Sequence, residues 1–199
     1  LGVISERDVV RAIGLGRDLD QLAASDVART DVVYCTPATT MGSLSALMTG
    51  PDTFNWQPLD KLLDDVASRG NQTIFRVFLE YPAKKEGIPD FLVNAGLKVH
   101  VYRNTNTAPL PPAESRTPDY SDLRLRAALK AFIAALGDRY DGDPRIGYIT
   151  AGLLGTWGEW HTYPRNDLWA SREVQAEVYA AYQAAFRKTP VLLRYPAGD

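Results

Sequence analysis

The sequence predicts an α/β protein whose strands form a parallel sheet with helices between them. Two observations support this fold class. From Asn55 onward, apolar strand-like segments alternate with long amphipathic helices, as they do in repeated βα units. The segment from Arg145 to Leu154 is mostly apolar, which is typical of a strand that is buried on both faces of a parallel sheet.

The chain has 199 residues, and its composition changes near Gly50-Pro51. Of its 4 Trp, 10 Tyr and 6 Phe residues, only Tyr34 precedes Phe54. Of its 13 prolines, only Pro37 precedes Pro51. We therefore expect two parts, a short α+β segment over residues 1–49 and a larger α/β part over residues 50–199.

The first part is predicted to hold two strands and two helices. Leu1 to Ile4 is a short apolar strand, and Ser5 caps the helix that follows it, with Asp8 three residues later as a weak capping box. Asp31 to Thr36 is a second strand candidate, and Thr40 to Met48 is a second helix.

The second part is predicted to hold three helices and four strands. Its helices have apolar residues at helical spacing, and its strands are apolar runs bounded by turn residues. In chain order they are a helix from Pro58 to Gly70, strands Gln72 to Tyr81 and Leu97 to Tyr102, a helix from Asp122 to Tyr140, a strand from Arg145 to Leu154, a helix from Ser171 to Lys188 and a strand from Val191 to Tyr195. Asn104 to Tyr120 is predicted to be a polar, proline-rich loop.

Charge and composition exclude several classes of function. The 22 Lys and Arg residues against 24 Asp and Glu residues give a formal net charge of -2, without a basic footprint for nucleic acid or for a membrane surface. No apolar run approaches the roughly 20 residues of a membrane span. With 1 Cys and 2 His residues, we expect no disulfide framework, no metal site and no cofactor.

The start of the first helix is one candidate site. A glycine and two apolar residues lead into Ser5 and Asp8, and the free N–H groups of a helix start can bind a phosphate while a carboxylate binds ribose hydroxyls. The alternative is a capped helix without a ligand, because capping by serine is common.

Residues 1–49 resemble a CBS domain pair that is cut at both ends. The resemblance lies in Leu-Gly-Val-Ile-Ser-Glu-Arg-Asp-Val-Val-Arg-Ala-Ile, in Ser25-Asp26-Val27 and in Asp-Val-Val-Tyr-Cys-Thr-Pro-Ala-Thr-Thr. It implies that Ser5 and Asp8 contact an adenosine nucleotide, so that one alternative function is a regulatory nucleotide-binding module. Together with the absence of a visible signal peptide, this segment favours a cytoplasmic location.

The segment Gly-Leu-Leu-Gly-Thr-Trp-Gly-Glu-Trp-His-Thr-Tyr is the second candidate site. It follows the predicted buried strand directly, so Glu159 stands at the carboxyl end of that strand, between Trp157 and Trp160. Apolar neighbours raise the pKa of a carboxyl group toward the range of a general acid, and Trp157, Trp160 and Tyr163 offer flat faces to a sugar ring. The alternative is a tryptophan-rich lid in which Glu159 pairs with an arginine.

Three further residues are weaker candidates for contact with a substrate. Glu80 ends a predicted strand and Arg76 lies within it, so either side chain can reach a substrate hydroxyl. The alternative for these two residues is a salt bridge inside the fold. His161 either orients Glu159, binds sugar or has a structural role only.

From about Phe54 to its end, the chain resembles the N-terminal part of a glycoside-hydrolase-like TIM barrel. The relatives are bacterial proteins often labelled as domains of unknown function, similar to β-galactosidase-type barrels. The matching stretches are Leu-Asp-Lys-Leu-Leu with Ser-Arg-Gly, Phe-Arg-Val-Phe-Leu-Glu-Tyr-Pro, Ile-Pro-Asp-Phe-Leu, Leu-Gly-Asp-Arg-Tyr-Asp-Gly-Asp-Pro-Arg-Ile and Gly-Leu-Leu-Gly-Thr-Trp-Gly-Glu-Trp-His.

This second resemblance implies a partial (β/α) barrel with parallel strands, in which Glu159 follows the fourth strand and is the acid/base residue of a glycosidase. The nucleophile is expected after a later strand, outside the chain, because a barrel of this kind takes about 250 residues. We therefore expect a fragment of a carbohydrate-active barrel, derived from a glycosidase and inactive by itself, whose partner is an oligo- or polysaccharide. A non-catalytic carbohydrate-binding barrel is the other alternative.

Overall fold

The computed structural model describes residues 17–18, 23, 42–105, 107 and 111–193. The chain divides into two compact units, Leu1–Ala38 and Thr39–Asp199. The candidate residues Ser5 and Asp8, and the elements predicted around them, lie outside the described residues.

The second unit begins earlier in the chain than the composition change at Gly50-Pro51. A short helix, α1 (Leu44–Leu47), and a strand, β1 (Met48–Gly50), precede that change and belong to the core of this unit. Leu44 and Met48 are fully buried, and the Leu44 N–H donates to the carbonyl oxygen of Phe78 at 2.9 Å. These residues therefore pack with the larger part of the chain.

The remaining elements are strands and helices, with two consecutive strands among them. They are β2 (Thr53–Phe54), α2 (Gln57–Ala67), β3 (Thr73–Phe75), α3 (Asp90–Asn94), β4 (Val99–Asn104), β5 (Ala113–Pro118), α4 (Leu123–Tyr140), β6 (Ile146–Thr150), a 3-10 turn (Asn166–Leu168), α5 (Arg172–Ala185) and β7 (Val191–Leu192).

Three strands form a parallel sheet in the order β3-β6-β7, and two further pairs, β1-β2 and β4-β5, are antiparallel. In the parallel sheet Phe75 lies beside Ile149, and Ile149 lies beside Val191. The predicted α/β class with parallel strands is therefore confirmed. The described residues form an open parallel sheet and no closed barrel.

The segment predicted as a proline-rich loop contains a strand. β5 pairs with β4 over its whole length, from Val99 opposite Pro118 to Asn104 opposite Ala113. Consequently β4, which was predicted to be one of the parallel strands, belongs to an antiparallel ribbon instead. The sequence of β5 has no apolar alternation because two of its three buried residues, Ser115 and Thr117, are polar.

The core lies between the parallel sheet and its helices. Helix α4 contributes the predicted apolar stripe, and Leu125, Leu129 and Phe132 are fully buried. Its first turn is capped by Asp122, whose carboxylate accepts from two backbone N–H groups. On the other face of the sheet Ile74 and Leu192 remain about half exposed, at 50% and 48%.

Across the described part of the chain, no helix has the length and apolar character needed to cross a membrane.

Helices α4 and α5 approach closely at Gly137. A Cβ atom added there would lie 2.5 Å from the carbonyl oxygen of Ala185, which is backbone and cannot turn aside. Gly137→Ala gains about 1 kcal/mol of helix propensity, but overpacking costs about 1–3 kcal/mol. We expect a net loss of about 1 kcal/mol in the free energy of unfolding, measured by urea denaturation.

Ala134→Gly, at an exposed position of the same helix, measures the propensity difference without the contact. A Gly137→Ala variant that is more stable than the wild type would contradict the close packing of the two helices.

Candidate functional site

The loop that follows β6 is held against the continuation of β3 by direct backbone contacts. We call residues 152–163 the aromatic loop and residues 76–81 the β3 extension. The N–H of Leu153 donates to the carbonyl oxygen of Val77, and the N–H of Trp157 donates to that of Glu80, both at 2.8 Å. A Cβ atom on Gly152 would lie 2.1 Å from the Val77 oxygen, so only glycine fits at this position.

Several residues of the aromatic loop have left-handed backbone conformations. The φ angles of Leu153, Trp157 and Trp160 are 70°, 57° and 60°, although each carries a Cβ atom. This conformation costs roughly 1–2 kcal/mol for each such residue and persists only where the surrounding structure imposes it. The backbone contacts with the β3 extension supply that constraint for Leu153 and Trp157, and the Trp160 N–H donates to the carbonyl oxygen of Leu154 within the loop at 3.0 Å.

The two tryptophans of the loop have different environments. Trp160 is buried, and its indole Nε1 donates to the carbonyl oxygen of Ala151 at 3.0 Å, so that this ring anchors the loop within the fold. Trp157 is only partly buried and lies edge-on to Tyr81 and His161. Tyr163 is 53% exposed. Part of the Trp157 side chain and about half of Tyr163 are therefore accessible to solvent, whereas Trp160 is enclosed.

Glu159 forms an ion pair with Arg76 of the β3 extension. The Arg76 Nη2 atom lies 2.7 Å from Glu159 Oε1, and the two side chains are 23% and 13% exposed. His161 Nε2 is 4.0 Å from the other carboxylate oxygen. The structure thus brings together three of the predicted residues, in the arginine-paired arrangement that was the alternative for Glu159.

Glu80 has a different environment and is not the partner of Arg76. Its carboxylate is buried, and it accepts a hydrogen bond from Thr117 Oγ1 at 2.5 Å and another from the Tyr120 hydroxyl. Burial raises the pKa of Glu80 from 4.5 to about 7, although the two hydroxyl donors act in the opposite direction. A salt bridge between Arg76 and Glu80 is therefore not formed.

The partners of Glu80 extend the network in two directions. The Tyr120 oxygen accepts from the N–H of Gly155 at 2.7 Å, and Thr117 Oγ1 lies 3.3 Å from the Tyr102 hydroxyl. The sequence does not point to Thr117 and Tyr120, because they lie in a segment that it predicts to be a loop. Recognising β5 from the spacing of Ser115 and Thr117 is the one signal that could have placed them.

No family model matches the chain, and no curated protein or solved structure matches it significantly. Within the residues that the structure describes, no group of three or more His, Cys, Asp and Glu residues is arranged to hold a metal ion. The case for a function therefore depends on the geometry of the aromatic loop and the β3 extension.

The buried Glu80 carboxyl group predicts a pH dependence of stability. The folded chain keeps a proton on Glu80 to higher pH than the unfolded chain does, so the free energy of unfolding falls as pH rises from 4.5 to about 7. The expected loss is about 3 kcal/mol. Urea denaturation at several pH values measures this slope, which Glu80→Gln removes.

Glu114→Gln is the matched control, because Glu114 is an exposed residue of β5 and its replacement leaves the slope unchanged. Carboxyl groups with lowered pKa values, such as Asp122 at about 2, lose their contribution only at lower pH. An equal slope in the wild type and in Glu80→Gln would show that Glu80 is not the responsible group.

The left-handed conformation of Trp157 predicts an unusual order of stability among its variants. At a φ of 57°, Trp157→Gly relieves strain that Trp157→Ala retains. We expect the glycine variant to be more stable than the alanine variant by about 1 kcal/mol, measured by urea denaturation. In an ordinary strand or helix, alanine is more stable than glycine. A Trp157→Ala variant more stable than Trp157→Gly would therefore contradict the left-handed conformation of Trp157.

Proposed function

We propose that the chain binds a carbohydrate at the aromatic loop, with Trp157 and Tyr163 as ring platforms and the Glu159–Arg76 pair as the polar recognition group. The observation that carries the proposal is that His161 lies near both this ion pair and a partly exposed indole, 4.0 Å from Glu159 and in ring contact with Trp157. A sugar ring presents C–H groups to aromatic faces and hydroxyl groups to charged side chains. Both chemistries meet in this loop.

The architecture supports the same proposal. Neighbouring parallel strands follow one another in chain order, with α4 between β3 and β6 and α5 between β6 and β7. A (β/α) barrel also has parallel neighbouring strands with helices between them, and its active sites lie at the carboxyl ends of the strands. The aromatic loop follows the carboxyl end of β6. We therefore propose a barrel of the glycosidase type as the parent architecture.

Hydrolysis of a glycosidic bond is the second candidate function. Glu159 is partly exposed at a strand end, where a general acid/base would stand. The reaction also needs a second carboxyl group, to attack the sugar or to activate water. Glu80 is at the neighbouring strand end, but Thr117 and Tyr120 enclose its carboxylate. Sugar binding needs no such second group, and this difference favours binding.

A titration of the full chain with gluco-, galacto- and manno-oligosaccharides, followed by tryptophan fluorescence and calorimetry, tests the proposal. We expect saturable binding to one class, weakened about tenfold by Trp157→Ala, since an aromatic contact contributes about 1 kcal/mol or more. Tyr179→Ala is the matched control, because Tyr179 is an exposed aromatic residue of α5.

Glu159→Gln separates the two candidate functions. Binding without hydrolysis of aryl glycosides supports the binding function, whereas hydrolysis that Glu159→Gln abolishes supports the catalytic one. Glu173→Gln controls for the loss of a surface carboxylate, because Glu173 is 72% exposed in its pair with Arg126. Absence of binding to every oligosaccharide would contradict the proposal.

A further inference from the structure

Glu80 is connected to the aromatic loop through both its backbone and its side chain. Its carbonyl oxygen accepts from the N–H of Trp157 at 2.8 Å. Its carboxylate accepts from the Tyr120 hydroxyl, whose oxygen in turn accepts from the N–H of Gly155 at 2.7 Å. A single buried residue therefore holds the loop at two amides that lie on either side of Thr156.

The charge of Glu80 affects the second of these connections. An ionised carboxylate accepts a charge-assisted bond from Tyr120, which is stronger than a neutral one. In a chain of hydrogen bonds this polarises the hydroxyl and makes its oxygen a better acceptor for the Gly155 N–H. Protonation of Glu80 removes the cost of burying its charge, and the fold as a whole is more stable for that reason, but it weakens these two hydrogen bonds without breaking the chain.

The structure offers a place for the added proton. On Oε2 it can be donated to Thr117 Oγ1, and the threonine hydrogen can then turn to the Tyr102 hydroxyl, 3.3 Å away. The Tyr120 hydrogen still points to Oε1. Because a protonated carboxyl group keeps a partner at each oxygen, both protonation states are compatible with the fold.

Among the ionisable groups of this network, Glu80 is the one whose pKa lies near neutral pH. Tyr120 and Tyr102 face it, and burial raises the pKa of both phenols above 10. The Arg165 guanidinium lies over the Tyr102 ring. On the β3 extension, the pKa of Tyr81 is also raised, and Arg76 is directed to Glu159.

We propose that Glu80 is a positioning residue that makes the aromatic loop responsive to pH, through Tyr120 and the amide of Gly155. Ionised Glu80 holds the loop, and with it Trp157 and Glu159, in the geometry described above. Protonated Glu80 holds it less firmly. The coupling itself involves no sugar. Only its effect on oligosaccharide affinity rests on the proposed carbohydrate site.

Nuclear magnetic resonance of the full chain, without sugar, tests the coupling. The side-chain carboxyl carbon of Glu80 and the amides of Gly155 and Trp157 are followed across the pH range. We expect the carboxyl carbon and the Gly155 amide to share one midpoint, near pH 7. In Glu80→Gln the Gly155 transition disappears, and in the control Glu114→Gln it remains.

Two further variants separate the effect of Glu80 from that of His161 and from a purely structural role. Histidine side chains titrate near neutral pH, so the Gly155 transition must persist in His161→Gln. In Tyr120→Phe the Glu80 carboxyl carbon still titrates, but the Gly155 amide no longer follows it. If Glu80 had only a structural role, the Gly155 amide would not follow its carboxyl carbon in the wild type either. If Glu80→Gln fails to fold, Tyr120→Phe decides the question, because it retains the carboxylate.

A Gly155 transition that survives in Glu80→Gln, is lost in His161→Gln or still follows the carboxyl carbon in Tyr120→Phe would overturn the proposal.

The consequence for the site is measured separately, as oligosaccharide affinity against pH. We expect affinity about fivefold higher above the midpoint, and no such change in Tyr120→Phe. Absence of sugar binding at every pH contradicts the proposed function and leaves the amide coupling intact.

Discussion

The close backbone contact between the aromatic loop and the β3 extension is the constraint on which the rest of the site depends. It requires glycine at position 152, where any side chain would collide with the carbonyl oxygen of Val77. It also holds Leu153 and Trp157 in left-handed conformations, which residues other than glycine mostly avoid. Within the loop held in this way, Trp160 is buried in the core and Trp157 stays partly accessible.

The burial of Glu80 accounts for the role of the antiparallel ribbon. A carboxyl group enclosed at the end of a strand needs hydrogen-bond donors, since burying it without them costs several kcal/mol. Thr117 of β5 and Tyr120 beyond it provide two hydroxyl groups. The ribbon therefore does more than connect β3 to α4. It supplies the polar lining that lets a carboxyl group lie beneath the aromatic loop.

The sequence predicts those parts of the fold in which local periodicity reports burial. The apolar stripe of α4 and the apolar run of β6 are examples, and the aromatic loop stands out by its tryptophans and glycines. The strand β5 could not be predicted this way, because two of its three buried residues are polar and its stability comes from pairing with β4. The pairing of Arg76 with Glu159 joins residues 83 positions apart, and no local pattern encodes such a contact.

The two glutamates show why chemical roles are harder to predict than elements. Trp157 and Trp160 flank Glu159 in the sequence, which suggests an apolar environment, yet one indole lies in the core and an arginine meets the carboxylate. Glu80 has no such flanking signal, and its pKa is the one that burial raises to about 7. Desolvation depends on what encloses a group in three dimensions, and here the enclosing residues come from β5 and the segment after it. The division of roles follows: the carboxylate that solvent reaches is suited to contact a ligand, and the enclosed one is suited to hold the loop that carries it.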